Sequence, residues 1–225
     1  MDLTWYGQAA FRLVDEQGYR IVCDPYTPEL LGYAPIADEC DLVITSSDDD
    51  AAHCRHDLVP GEHVWLNALE AVRAGGSATV DGREIRAIEA MEIESHPLHA
   101  PGQNAMYRFA LDGLEIAHMG DIGNPLSERQ TRFLDGVDVL LALAGGELVI
   151  DIPELLRVVE ETRPRLVVPM HFRTLVYRPR SLLWIDSLLS LVDDADVDFA
   201  FGSSTEIKRP DLPERTRYLV MDYVR

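Results

Sequence analysis

Cysteine is scarce and scattered in this chain: Cys23, Cys40 and Cys54, with no CxxC pair among them. That excludes a disulfide framework or a cysteine zinc site as the organising device. Lysine is nearly missing. Lys208 stands alone, arginine supplies the other basic residues, and 20 bases face 39 acids for a net charge of −19. Such a field repels phosphate backbones, which argues against a nucleic-acid partner, and it draws in divalent cations. The dearth of lysine is read as genomic base composition. No stretch approaches the ~18 consecutive apolar residues of a membrane span. The opening Met1-Asp2-Leu3-Thr4-Trp5 has no basic region followed by an apolar one, so no secretory signal is read. The expectation is a bacterial-type cytoplasmic protein with no membrane partner. Repeats and low-complexity linkers are absent too, and 225 residues at 47% hydrophobic suffice for a sizeable core, so 1–225 reads as a single domain.

What is present changes character midway. The first half reads as short strands at Leu3 to Trp5, Ala10 to Val14, Tyr19 to Cys23 and Leu42 to Thr45. Further strands follow at Val64 to Leu66, Ala78 to Val80 and Arg83 to Ile88. Hairpins turn at Asp81-Gly82 and at Asp112-Gly113, the latter joining Met106 to Leu111 with Leu114 to Ala117. The second half alternates. An N-capped helix starts at Ser127, Val137 to Leu143 is a strand buried on both faces, and Asp151 to Thr162 is an amphipathic helix. Arg165 to Pro169 reads as a strand and Arg180 to Val192 as a helix, before closing strands near Val197, Glu206 and Arg217. This order suggests two packed sheets with helices outside.

Ligand-type side chains gather at the ends of the apolar runs, where rigid strands hand over to loops. The candidates are Asp48, Asp50 and His53 after the fourth strand, His96 or His99 in a second loop, Asp121 in His118-Met119-Gly120-Asp121, and His171 after Val168-Pro169-Met170. Aspartate and histidine from separate segments are what a divalent ion requires. Each also has a plainer reading: Asp48 to Asp50 as a solvated loop capping a helix near Ala51, Asp121 as a turn cap, His171 as a hydrogen-bonded core residue. Asp24-Pro25 turns the chain or orients a ligand from behind.

Taken in order, Leu3 to Phe11, Ile21-Val22-Cys23-Asp24-Pro25-Tyr26, Ile116 to Asp121, Val137 to Leu141 and Val168-Pro169-Met170-His171 resemble the metallo-β-lactamase fold superfamily. The resemblance extends to its branch of L-ascorbate 6-phosphate lactonase-like metal-dependent hydrolases. It covers nearly the whole chain and implies an αββα sandwich, an α/β arrangement of two mixed sheets with helices on the outer faces. It also implies a motif THxHxDH that this chain departs from. With Thr45 on the motif's threonine, Ser46, Asp48 and Ala51 fall on its three histidines and Asp50 on its aspartate, while Gln8 replaces an early histidine. His96, Asp121 and His171 fall on a histidine ligand, a metal-bridging aspartate and a last histidine, with His99 a rival for the first.

Two functions are therefore expected from different classes. One is a hydrolase with a rewritten site of Asp48, Asp50, His53, His96, Asp121 and His171, holding one or two ions of Mn, Mg or Zn. It would act on a small ester, lactone or phosphoester, with Asp50 or His118 handling protons. The other is a metal-free pseudo-enzyme that binds a ligand or partner. A small molecule is the expected partner, self-association is a further expectation, and Arg173, Arg178 and Arg180 are candidates for steering a small anion.

Overall fold

The computed structural model describes residues 1–48, 51–92, 104–146 and 148–225. Among these, strands β1 (Asp2–Gly7), β2 (Ala10–Val14), β3 (Arg20–Cys23), β4 (Leu42–Thr45) and β5 (Val64–Asn67) precede β6 (Ser77–Val80), β7 (Arg83–Ala90), β8 (Asn104–Leu111) and β9 (Leu114–His118). They are followed by β10 (Val139–Leu143), β11 (Leu166–Met170), β12 (Val197–Phe199), β13 (Ser204–Glu206) and β14 (Arg217–Val220). The helices are α1 (Pro28–Leu31), α2 (Ala68–Arg73), α3 (Glu128–Phe133), α4 (Ile152–Thr162) and α5 (Asp186–Leu189).

The strands form two mixed sheets, ordered β13-β1-β2-β3-β4-β5 and β12-β14-β11-β10-β9-β8-β7-β6. In each sheet hairpin-linked strands run antiparallel and the crossover-linked ones parallel, as at β3–β4–β5 and β9–β10–β11. Period-two alternation decides what each face meets. Leu3, Trp5, Leu13, Ile21, Leu42 and Ile44 of the first sheet join the main core with the second sheet, while Tyr6, Ala10, Val22 and Val43 point into a smaller cluster with Tyr26, Leu31 and Tyr33. The apolar run of β10 is buried along its whole length, as its parallel neighbours on both edges require. On α4, Ile152, Leu155, Val158 and Val159 turn toward that same core.

One expected element is corrected. Arg180 to Val192 is not a continuous helix: only Asp186–Leu189 is helical. The preceding residues are extended because Leu183 donates its amide to Gly145 O at 2.7 Å and accepts from Arg173 N at 2.8 Å. Those tertiary bonds outweigh local propensity. The extended segment consequently walls the cavity described next. No helix among the described residues is long and apolar enough to cross a membrane, and all three cysteines are free and buried.

Candidate metal centre

Three chain reversals at the same rim of the two sheets create the site. The first is the β1–β2 turn, where Gln8 adopts a left-handed backbone (φ 51°) and its carbonyl accepts from His171 N at 2.9 Å. The second follows β9. There Gly120 sits at φ +64°, and a Cβ would lie 2.5 Å from Asn104 Oδ1 and 2.6 Å from the Ala105 carbonyl. Only glycine allows that approach, which leaves Asp121 N to accept its place on Asn104 Oδ1 at 3.1 Å. The third follows β11, where His171 itself takes φ 53°, a conformation that a non-glycine residue holds only when its surroundings impose it. A separate loop brings His53. It is fastened to the segment after β3 by Thr27 N to Ala51 O and Arg55 N to Pro25 O, both 2.9 Å.

These supports bring His53, Asp121 and His171 together, with one ligand-type atom from each lying within 4.8 Å of the others. His53 Nδ1 is 3.5 Å from Asp121 Oδ2, and His171 Nε2 is 3.3 Å from Asp121 Oδ1. The two imidazoles stack at 5.1 Å with an angle of 21° between planes. Both histidines are buried, while the aspartate side chain keeps 17% of its surface exposed and so opens the group to solvent. The group faces a cavity of about 220 Å³ lined also by Gln8, Glu92, Leu148, Tyr177 and Leu182. Two imidazoles and one carboxylate make a set suited to a single transition-metal ion with open positions. The Gln8 amide nitrogen lies 2.6 Å from His171 Nε2. Its Oε1 is buried with no hydrogen-bond partner among the described residues, a polar atom that an ion or its hydration would satisfy. The residues present fit such an ion.

Behind this group lies a hydrogen-bonded layer that contains no ligand. Asp24 is fully buried at φ 43° and accepts from Ser46 N at 2.9 Å, Ser46 Oγ at 2.6 Å and the Tyr107 hydroxyl at 3.2 Å. Burial holds its carboxyl above the ordinary carboxylate range, against the opposing pull of the nearby histidines and the Ser46 hydrogen bonds. Ser46, on the family's first histidine position, thus fills its space and spends its hydroxyl on Asp24.

Two expected roles are corrected here. Asp48 points away from the three-residue group: its carboxylate pairs with Arg73 Nη2 at 2.7 Å and takes a hydrogen bond from the Asn67 amide. That guanidinium on α2 was a competing partner that spacing along the chain does not disclose. His118 does not handle protons. Its Nε2 is 2.9 Å from Ala9 O and its Nδ1 accepts from Gly120 N at 3.0 Å, so both nitrogens are engaged in a fully buried ring. Burial lowers its pKa, outweighing the pull of Asp24, and keeps it neutral.

Asp50, His96 and His99 lie outside the described residues. Glu92, a buried acid on the cavity wall, was not singled out from the sequence. Its only signal was its position just ahead of the candidate histidines. Of the arginines considered for anion steering, Arg173 stacks over the Trp184 ring at 4.8 Å and Arg178 donates to Glu29 O; neither they nor Arg180 line the cavity.

The model of the β-lactamase superfamily domain matches residues 2–171. A metal-dependent hydrolase of the UPF0173 group from Carboxydothermus hydrogenoformans is 24% identical over 203 residues, spanning 77% of this chain and 85% of that protein. Another of the same description from Methanoculleus marisnigri is 29% identical over 193 residues, spanning 77% and 82%. Among solved structures, a candidate Zn-dependent hydrolase of the metallo-β-lactamase superfamily from Thermotoga maritima superposes with a TM-score of 0.76 at 28% identity, covering 99% of both chains.

Proposed function

This chain belongs to the β-lactamase superfamily, and on that basis we propose that it is a hydrolase whose single divalent ion is held by His53, Asp121 and His171. The observation that carries the reading is the convergence of three ligating atoms within 4.8 Å at the floor of an open cavity. Relatives described as metal-dependent hydrolases support it. With Asp48 committed to Arg73, the described donors are richer in nitrogen than the sequence suggested, which moves the preference from Mg²⁺ toward Zn²⁺ or Mn²⁺. Such an ion supplies Lewis acidity toward a substrate oxygen and makes water more acidic. The protein's own part is positional. His53 compensates for the histidines missing at Ser46 and Ala51, and the strained His171 backbone, tied to Gln8 O, holds one imidazole against Asp121. With His118 locked, Glu92 is the cavity carboxyl left among the described residues to take up a proton.

The test is elemental analysis and thermal melting of protein purified without added metal. We expect about one ion per chain and, at a free ion concentration of about 100 times Kd, a stabilisation of about 2.7 kcal/mol. Asp121→Ala or His171→Ala should each weaken ion affinity by about a hundredfold or more. A wild-type protein free of metal, with a melting midpoint indifferent to Zn²⁺, Mn²⁺ and chelator, would instead favour the silent scaffold that Ser46 and Asp48 also allow.

A further inference from the structure

The chemistry of the cavity walls narrows the substrate further than the three ligating residues do. From the walls we infer that the site takes uncharged carbonyl compounds, small esters or lactones with an apolar side, and rejects phosphoesters; this rests on the hydrolase reading above. Leu30, Leu31, Leu148, Pro179 and Leu182 supply much of the lining. Leu30 and Leu148 keep 48% and 47% of their surface exposed, which leaves apolar area at the mouth for a ligand to cover.

Charge points the same way. Among the described residues no lysine or arginine lines the cavity, whereas Glu92 and Asp121 both do. The segments outside the described residues, 49–50, 93–103 and 147, contain neither lysine nor arginine, so they bring no permanent cation. Sites that bind phosphoryl groups do so with guanidinium or ammonium partners. Here a divalent ion would bring two positive charges against two carboxyl groups, leaving no surplus for a phosphate dianion. A carbonyl needs none. The space, about 220 Å³, is worth roughly seven waters, below the ~300 Å³ at which drug-sized ligands begin to fit.

The reaction is a hydrolysis in which a water oxygen bonds to the carbonyl carbon. The carbon–oxygen bond to the leaving alkoxide breaks, and the proton lost by the water ends on that alkoxide. Water is the only co-reactant.

Affinity separates the substrate class from the reaction. Zn²⁺-loaded protein is titrated calorimetrically with butyranilide, a neutral amide, and with phenyl phosphate, which shares its ring. Butyranilide should bind at least about tenfold more tightly, the scale set by a few apolar contacts. Leu148→Lys, at a half-exposed position, should weaken the amide and strengthen the phosphate until the order reverses; circular dichroism confirms that the variant is folded. Equal or tighter binding of phenyl phosphate by the wild type, or no binding of the amide, overturns the inference. Turnover of phenyl butyrate and phenyl phosphate is followed in parallel. Hydrolysis of the phosphate alone would overturn the substrate class while leaving the hydrolase intact. The expected order of affinities without turnover of either would support the cavity's selectivity and remove the hydrolase reading instead.

Discussion

The two histidines flanking Asp121 in space and the one just before it in sequence have different fates, and their surroundings decide which. His53 and His171 face a carboxylate at the edge of solvent. His118 sits between a carbonyl and a backbone amide with no exposed surface. Its pKa is depressed from the ordinary 6.5, first by burial. The folded protein therefore holds it neutral while the unfolded chain protonates it, so its contribution to stability is complete above pH 6.5 and is lost as pH falls from there toward its folded value. We expect the His118 ring resonances to show no titration around pH 6.5 in a nitrogen-detected NMR series; a midpoint at that value would contradict the locked tautomer. Sequence order flagged Asp121 and His171 through the strands they end. It flagged His53 only as one of several substitutes, because what aims that ring is a loop fastened to Pro25 and Thr27, a contact that no local pattern encodes.

At the scale of elements, the strands were readable because alternation and turn residues act locally. The helix expected from Arg180 onward was not, since distant partners straighten that segment. A further tie between elements was invisible in the sequence: Asp15, in the β2–β3 turn of one sheet, binds Arg83 at the start of β7 in the other at 2.7 Å. The same carboxylate accepts from Tyr19 N and Gln17 N, and the Arg83 guanidinium lies 3.7 Å over the Tyr19 ring. Burial alone would raise the pKa of Asp15, but these donors outweigh it and hold the carboxyl below the usual 3.8. A lowered folded pKa means stability that is present above 3.8 and lost as pH falls through the folded value. Asp15→Asn should cost about 2 kcal/mol at pH 7, the scale of hydrogen bonds to a charged group. Urea titrations at pH 7 and pH 3 would show this cost shrinking in acid, and an equal cost at both would disprove the charged tie.

Across the whole molecule, 39 acidic residues outnumber 20 basic ones, so repulsion must outweigh attraction when all surface charges are summed. Raising salt from 0.15 M to 1 M shortens the screening length from about 8 Å to about 3 Å. Isolated surface ion pairs lose little by this because each contributes little. The thermal midpoint should therefore rise with NaCl in scanning calorimetry, with chelator present to exclude effects of trace metal. A falling midpoint would mean that the pairs dominate. The same imbalance agrees with a cavity that offers no cation of its own.

The compartment occupied by Ser46 bears on how such a chain can change over generations. A single mutation to histidine there would withdraw the hydroxyl from the buried Asp24 carboxyl and press a ring toward Gly120, where even a methyl group meets the Ser46 Cβ at 3.0 Å. Several partners would have to alter together before an imidazole became useful. Ancestral coordination is thus not one step away, and drift is channelled toward refining the present arrangement.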